Sequence, residues 1–199
     1  MPLGTALRCC DMSPGRAPSI AWASFDTALG RCALAWGEGG VTGSQLPAAD
    51  EAALRQTMAQ RFPGLPELLP SDEPPAEVRQ VMAQLSALLA GELVDLSATR
   101  LDMRGVPPFE ARVYAEALRL GPGQTVTYGE VARRLGEHSA ARAVGQALGH
   151  NPFAPIVPCH RVVGASGRMV GFSAPGGVQT KQRMLDIEFK AVGGQGDLF

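Results

Sequence analysis

The sequence predicts a mixed α/β fold of the α+β type, with a small strand-rich amino-terminal domain packed on a helical carboxy-terminal domain that contains a helix-turn-helix. Three short apolar segments separated by turn residues near the start of the chain are typical of a β-meander. Later segments repeat apolar residues at helical spacing and stop at proline or glycine. The last of them has the pattern of two short helices joined by a tight turn.

The strands are expected at residues 20–25, 31–36 and 41–46. Alternation places Cys32 and Trp36 on the same face of the middle strand. Cys32 is therefore predicted to be a buried structural thiol rather than a reactive one.

The helices are expected at residues 50–62, 78–91 and 108–120, and the helix-turn-helix at residues 125–149. Within the helix-turn-helix, Gly136 permits the turn and Ser139 is placed to cap the second helix. Many helical hairpins share this spacing, so the pattern alone does not distinguish DNA binding from ordinary packing.

Four segments are predicted along the chain. They are a loose arm at residues 1–18, an amino-terminal α/β domain at residues 19–104, a helical domain with the helix-turn-helix at residues 105–190, and a flexible tail at residues 191–199.

The composition excludes an overall electrostatic attraction to a polyanion. The chain has 18 lysines and arginines against 19 acidic residues, and its formal charge is -1. Any binding of nucleic acid must therefore be local. The sequence shows neither a signal peptide nor an apolar run of membrane-spanning length, so we expect a cytoplasmic protein with no membrane partner.

The cysteines match neither a disulfide framework nor a zinc pattern. They are Cys9, Cys10, Cys32 and Cys159. The histidines all lie in the second half of the chain, so no zinc site is expected in the first half and no bound metal is expected. They are His138, His150 and His160.

The segment at residues 151–164, NPFAPIVPCHRVVG, carries the strongest chemical signal. Its prolines make a helix implausible and predict a stiff extended segment that presents Cys159 beside His160. The thiolate is the reactive form of cysteine, and a neighbouring histidine can take the thiol proton directly or through water. For an isolated Cys-His pair the better interpretation is a buried thiol beside a structural histidine. Here the neighbouring residues favour a reactive cysteine instead.

Those neighbours resemble the O6-alkylguanine-DNA alkyltransferases, also called methylated-DNA--protein-cysteine methyltransferases. The family signature Pro-Cys-His-Arg-Val stands at residues 158–162, preceded by Arg-Ala-Val-Gly at residues 142–145 and Asn-Pro at residues 151–152. The similarity runs from about Ser24 to Glu188. It implies direct-reversal DNA repair, in which the protein takes a methyl or other alkyl group from O6-alkylguanine in duplex DNA, with O4-alkylthymine as a further candidate substrate.

Carried over by position, the resemblance implies that Cys159 accepts the alkyl group while His160, through a water, relays its proton toward Glu188. Asn151 is implied to brace the turn that carries the cysteine. The chemistry is a direct displacement by sulfur, so no cofactor is expected. The thioether product cannot be reversed by thiol exchange, and each molecule is expected to react once.

The resemblance also implies how the damaged base is recognised. Arg142 is the arginine finger that takes the place of the flipped nucleotide, and the small Ala143 beside it lets the second helix approach the minor groove. Tyr128 is implied to donate a hydrogen bond to the flipped guanine; without the resemblance it would be interpreted as a packing residue in the first turn of its helix. Double-stranded DNA with an alkylated guanine is the expected partner, and a monomer is the expected state.

The base pocket is assigned to Val162, Phe172 and Ser173. Phe172 stands where the family often has tyrosine, which keeps the stacking face and loses a hydroxyl. Ser173 remains as a hydrogen-bond donor to the leaving O6.

Two other interpretations stay open at this point. Alkyltransferase-like proteins keep the helix-turn-helix and the base pocket but replace the cysteine, and they bind lesions and recruit excision repair. Cys159 argues against such a binding module. A transcription regulator with an alkyltransferase domain would need further cysteine-rich and DNA-binding modules, for which residues 1–100 are too few.

The end of the chain resembles the motif by which bacterial proteins bind the sliding clamp. Gln195 would fix the register, Asp197 supplies the acidic position, and Leu198 and Phe199 would fill an apolar pocket. The glycines before them would act as a flexible spacer. The competing interpretation is that Leu198 and Phe199 fold back onto the protein's own core.

Overall fold

The computed structural model of the chain describes residues 19–194. The predicted arm at residues 1–18 and the clamp-like residues Gln195, Asp197, Leu198 and Phe199 lie outside the described residues. The described part contains a three-stranded antiparallel sheet, a short parallel strand pair and six α-helices. The predicted α+β class is confirmed.

The sheet lies in the first half and consists of β1 (Ala21–Thr27), β2 (Gly30–Gly37) and β3 (Gly40–Gln45) in that spatial order. These strands confirm the three predicted segments. The central strand β2 is buried on both faces, with Cys32 among its buried residues. Burial raises the pKa of the Cys32 thiol to about 11, so this thiol stays protonated at neutral pH, and its buried position agrees with the predicted structural role.

Helices cover both faces of the sheet. Helix α1 (Glu51–Arg61) begins at Asp50, whose side chain accepts a hydrogen bond from the backbone of Ala53, and its apolar face packs on the alanines of β2. Helix α2 (Ala76–Ala90) packs on the opposite face. It ends at Gly91, which has a φ of 98° and closes the helix as the sequence predicted.

The second half begins with α3 (Pro108–Ala117), which is shorter than the predicted helix at residues 108–120. The backbone nitrogens of Arg119 and Leu120 bond carbonyls only three residues earlier. The chain therefore tightens and leaves the helix before the Gly-Pro-Gly segment, where proline cannot continue it.

The predicted helix-turn-helix corresponds to α4 (Tyr128–Arg134) and α5 (Ala141–Gly149). Gly136 adopts a φ of 76° in the connecting turn, a conformation that favours glycine. The prediction that Ser139 caps the second helix is wrong, because the capping position is Ala140 and no side chain caps this end. The two helices pack through the buried side chains of Val131 and Val144.

A short strand pair positions the rest of the second half. The β4 strand (Val126–Thr127) pairs in parallel with β5 (Val162–Val163), which directly follows a 3₁₀ helix at Cys159–Arg161. This pairing brings the cysteine turn beside the start of α4. The last helix, α6 (Gly177–Ala191), turns Lys181 and Glu188 inward. These residues lie seven apart, so they share one face of the helix.

None of the helices within residues 19–194 is long and apolar enough to cross a membrane.

Candidate active site

The segment that carries Cys159 is a succession of turns. The predicted extended conformation is wrong, since Cys159–Arg161 form a 3₁₀ helix. The side-chain amide of Asn151 explains the shape: its Nδ2 donates to the Val157 carbonyl at 2.9 Å, and its Oδ1 accepts from the Phe153 backbone at 2.9 Å. The prolines are compatible with this path because their fixed φ suits turns as well as extended chain.

The first half of the protein supports the same segment. The backbone nitrogen of Ser44 donates to the Pro152 carbonyl at 2.8 Å, and the Ser44 hydroxyl donates to the Ala154 carbonyl at 2.6 Å. Arg61 adds a hydrogen bond to Pro152 at 3.3 Å and another to the Ser44 carbonyl at 2.8 Å. The loop before Cys159 is therefore fixed to strand β3 as well as by its own turns.

Cys159 lies in a protected environment, with 6% of its surface exposed. Burial raises the pKa of its thiol. A hydrogen bond from Asn151, the positive charge of Lys181 and backbone N–H groups oppose that rise because they favour the thiolate. The resting thiol is thus protonated and surrounded by groups that stabilise the anion once a base removes the proton.

His160 follows Cys159 directly in the chain and is the candidate for that base. Its ring is fully buried, and Nε2 lies 2.9 Å from Glu188 Oε1 without an intervening group. Burial lowers the pKa of His160, and the nearby charges of Arg161 and Lys181 lower it further against the opposing effect of Glu188. The imidazole is therefore neutral near neutral pH. Its Nδ1 is buried and has no hydrogen-bond partner within residues 19–194, which leaves a lone pair to accept a proton.

Arg161 holds the carboxylate in place, a role that the sequence reasoning missed. Its Nε donates to Glu188 Oε1 at 3.1 Å and Oε2 at 2.9 Å, and its Nη2 donates to Oε1 at 2.7 Å. Nη1 bonds the Leu120 carbonyl, and the Gly123 backbone donates to Glu188 Oε2 at 3.2 Å. Burial alone would raise the pKa of Glu188, but the hydrogen bonds from His160 and Arg161 and the positive charge of Arg161 lower it to about 2.

Lys181 is the second residue that the sequence reasoning missed. It lies on the inner face of α6, where Nζ donates to the Val162 carbonyl at 2.6 Å and contacts the Tyr128 hydroxyl at 3.5 Å. Its spacing of seven residues from Glu188 was the available signal, because residues two turns apart share a helix face. That spacing alone does not predict burial, since a lysine in a helix ordinarily faces solvent.

A pocket of about 420 Å³ opens at the cysteine. It is lined by Asn151, Cys159, Phe172 and Ser173 from the second half, together with Ser44 and Arg61 from the first. The structure therefore brings these predicted site residues together. The Ser173 hydroxyl donates to the Gly149 carbonyl at 2.9 Å, so it would have to exchange partners to reach a substrate.

Tyr128 and Val162 are not among the described residues that line this pocket, and both contact Lys181, through the Tyr128 hydroxyl and the Val162 carbonyl. Val162 is fully buried. The Tyr128 hydroxyl donates to the Val170 carbonyl at 3.4 Å, a long contact that a better acceptor can replace. Burial raises the pKa of Tyr128, and the negative charge of an ionised Cys159 raises it further, so the phenol keeps its proton.

Arg142 stands apart from this cluster on the first turn of α5. Its side chain is exposed and makes no ion pair within residues 19–194, whereas Val144, Ala147 and Leu148 anchor the opposite face of the helix. Ala143 is half-buried beside it. An unpaired arginine flanked by small residues on a helix-turn-helix is available to a polyanion.

No group of three or more His, Cys, Asp or Glu side chains suited to a metal ion occurs in the described part of the chain.

Residues 108–190 match the family model described as 6-O-methylguanine DNA methyltransferase, DNA binding domain. The methylated-DNA--protein-cysteine methyltransferase of Mycobacterium tuberculosis (strain ATCC 25618 / H37Rv) is 49% identical over 105 residues, which are 53% of this chain and 61% of that protein. The match thus spans less than two thirds of this relative. The protein of the same name from Methanothermobacter thermautotrophicus is 30% identical over 162 residues, 81% of each chain.

The fold agrees with these sequence matches. A crystal structure of Mycobacterium tuberculosis OGT in complex with DNA is similar with a TM-score of 0.67 and 36% identity, over 86% of this chain and 94% of that one. The sequence relationship therefore extends to both halves of the molecule. The chain belongs to the methylated-DNA--protein-cysteine methyltransferase family.

Proposed function

We propose that this protein repairs DNA by moving an alkyl group from O6 of guanine in a duplex to Cys159. The observation that carries the proposal is the buried cysteine at a pocket, next to a neutral histidine that is itself hydrogen-bonded to a fixed carboxylate. This is the arrangement of a nucleophile, a base and a group that orients the base. It lies beside a helix-turn-helix with an exposed arginine, which supports DNA as the carrier of the substrate.

Proton transfer comes first. The Cys159 proton passes to His160 Nδ1 through a water, for which the unpartnered nitrogen provides an acceptor. Nε2–H donates to Glu188, which fixes the tautomer that leaves Nδ1 free. Glu188 remains ionised because Arg161 also binds it, so it stabilises the imidazolium without taking the proton.

Alkyl transfer is then a single displacement. The thiolate forms a bond to the alkyl carbon as the carbon–O6 bond breaks, and the electron pair of that bond passes to the purine. In this step the Tyr128 hydroxyl, which keeps its proton, donates a hydrogen bond to the purine and stabilises the charge that develops there. The sulfur ends as a neutral thioether, so the protein is consumed.

Access to O6 requires the damaged nucleotide to leave the base stack. We assign this role to Arg142, which occupies the space of the extruded base and repays part of an unstacking cost of a few kcal/mol. The neighbouring Ala143 keeps the helix surface small, which favours close approach to the minor groove. O4-alkylthymine is a second substrate to be tested in the same pocket.

The test is a stoichiometric transfer assay with a duplex that carries a radiolabelled O6-methylguanine. We expect one label per protein molecule and no turnover. Cys159→Ala is expected to abolish transfer while duplex binding stays near that of the unmodified protein, because the helix-turn-helix is untouched. Cys32→Ala, which also removes a buried thiol, is the matched control and is expected to transfer normally. Transfer by Cys159→Ala, or multiple turnovers, would reject the proposal.

A further inference from the structure

Tyr114 is fully buried in α3, between the helix-turn-helix and the segment at residues 151–161 that carries Cys159. Its ring meets the ring of Phe153 in that segment edge to face, with 6.3 Å between the ring centroids. Its hydroxyl lies 3.0 Å from the Ala147 carbonyl in the last turn of α5 and 3.1 Å from Glu110 Oε2. A carbonyl and a carboxylate accept hydrogen bonds, so Tyr114 is the donor to both. One side chain thus contacts the end of α5 and the segment that positions the nucleophile.

Helix α3 also supports the rest of the helix-turn-helix. Arg112 donates to the Leu135 carbonyl at 2.7 Å, at the end of the first helix of the motif. Arg134, one residue earlier, donates to Glu116 at 3.2 Å. The first helix and the turn are therefore attached to α3 by charged side chains, and the second helix is attached to it through the Tyr114 hydroxyl.

Helix α5 has few other attachments by hydrogen bonds. No side chain caps its amino-terminal end, and its buried side chains are apolar. Within residues 19–194, two side chains of other elements donate to its backbone: Tyr114 to Ala147, and Ser173 to Gly149 at 2.9 Å. The Ser173 bond is broken when Ser173 turns toward a substrate. Of these two hydrogen bonds, the one from Tyr114 then remains.

We propose that Tyr114 is a positioning residue for alkyl transfer from duplex DNA, because its hydroxyl fixes the last turn of α5 relative to the segment that carries Cys159. The inference rests on the proposed function, in which Arg142 on the first turn of α5 occupies the place of the flipped nucleotide. Tyr114 contacts neither the substrate nor the sulfur in this account. It acts by holding the helix that binds DNA and the nucleophile in one relative position.

The geometry of α5 shows why this attachment matters for the rate. Arg142 lies five residues before Ala147, about 7.5 Å along the helix axis. A tilt of about 8° at the Ala147 end therefore displaces the Arg142 end by about 1 Å. Displacement by sulfur requires the alkyl carbon close to the sulfur and in line with it, and a misplacement of about 1 Å can slow such a reaction about 10²-fold.

The Tyr114 hydroxyl remains a donor while the thiolate exists. Burial raises the pKa of Tyr114, and the negative charges of Glu110 and of an ionised Cys159 raise it further. The phenol therefore keeps its proton, and its hydrogen bond to the Ala147 carbonyl persists through the reaction.

The experiment compares Tyr114→Phe with the unmodified protein, since phenylalanine removes the hydroxyl and keeps the ring that packs on Phe153. Three quantities are measured: the single-turnover rate of transfer at saturating O6-methylguanine duplex, the duplex concentration that gives half this rate, and the rate with free O6-benzylguanine. We expect the saturating rate to fall about tenfold, as for the loss of one hydrogen bond, and the other two to change less than about twofold. The buried apolar face of α5 limits the tilt, so the loss stays below the full effect of a misplaced substrate.

Ser86→Ala is the matched control. It also removes a hydroxyl that donates to a backbone carbonyl of another element, that of Asp26 at 2.9 Å, but it lies in the first half of the chain. This variant is expected to leave all three quantities unchanged.

The three quantities separate positioning from stability. If the hydroxyl only stabilises the fold, urea unfolding of Tyr114→Phe shows a lower stability while the saturating rate is unchanged, and this result would overturn the proposal. Equal losses with the duplex and the free base would overturn it as well, because the hydroxyl would then act on the pocket or the thiol.

Hydrogen exchange of the backbone amides at residues 147–151 gives a result that does not depend on the chemistry. We expect faster exchange in Tyr114→Phe than in the unmodified protein or Ser86→Ala, and unchanged exchange would overturn the proposal. If the unmodified protein transfers no alkyl group, the proposed function is rejected, and the exchange rates still decide whether the Tyr114 hydroxyl fixes the end of α5.

Discussion

Replacing Arg161 with methionine tests the account of the buried carboxylate. The change removes the guanidinium that donates to Glu188 at 2.7 to 3.1 Å and leaves the carboxylate, which is 3% exposed, with His160 and the Gly123 backbone. Removing one partner of a buried ion pair costs about 3–5 kcal/mol because the other charge stays buried. We expect the free energy of unfolding at neutral pH to fall by about 3 kcal/mol. This value is at the lower end of that range because Glu188 keeps two hydrogen-bond partners.

The pKa of Glu188 determines how its contribution to the free energy of unfolding changes with pH. The folded pKa of Glu188, about 2, lies below its ordinary value of 4.5, so the ionised carboxylate contributes stability above pH 4.5. That contribution is lost as the pH falls toward 2, where the carboxylate takes up a proton. The difference in stability between the unmodified protein and Arg161→Met should therefore shrink on acidification through this range.

Urea denaturation at several pH values measures these differences. Arg119→Met is the matched control, since Arg119 is 77% exposed in its ion pair with Glu116 and is expected to contribute less than about 1 kcal/mol. The double variant Arg161→Met, Glu188→Gln should be more stable than Arg161→Met alone, because it has no unpaired buried charge. A loss below about 1 kcal/mol for Arg161→Met, or no recovery in the double variant, would refute the reasoning.

Two further predictions concern the DNA-facing helix and the end of the chain. Arg142→Ala should slow repair of duplex DNA much more than reaction with free O6-benzylguanine, because only the duplex must be opened. The control variant Arg183→Ala on α6 should slow neither reaction. Equal losses of rate on both substrates would show that Arg142 does not act in base flipping. Deleting residues 195–199 should abolish binding to a bacterial sliding clamp in a direct titration and leave alkyl transfer unchanged. The clamp motif would be rejected if the shortened protein still binds the clamp, or if the intact protein does not bind it.

The sequence was most informative where structure follows from local rules. The strands of the first half and the end of α2 at Gly91 could be predicted because side-chain alternation and the left-handed conformation of glycine act within a few residues. The cysteine turn was misjudged because prolines restrict φ without specifying ψ. Its conformation depends on the Asn151 amide and on contacts with β3, which are not local.

The charged residues of the site show a second limit. Lys181 and Arg161 look like solvent-exposed residues in the sequence, since long charged side chains are rarely buried. Their burial depends on how α6 packs against the cysteine turn and on partners far along the chain, such as Glu188 for Arg161. Cys159 and His160 were identifiable because adjacent residues carried the family signature. The contacts of Arg161 and Lys181 are with residues distant in the sequence, and such contacts produce no local pattern.

The central claim is that Cys159 is the alkyl acceptor, and mapping the transferred group tests it most directly. The unmodified protein would be incubated with a duplex containing O6-methylguanine labelled in the methyl group, digested, and analysed by peptide mass spectrometry. We predict that the label is found as S-methylcysteine at Cys159 in an amount equal to the active protein. A label on Cys9, Cys10 or Cys32, or no protein-bound label despite loss of the lesion, would contradict the account.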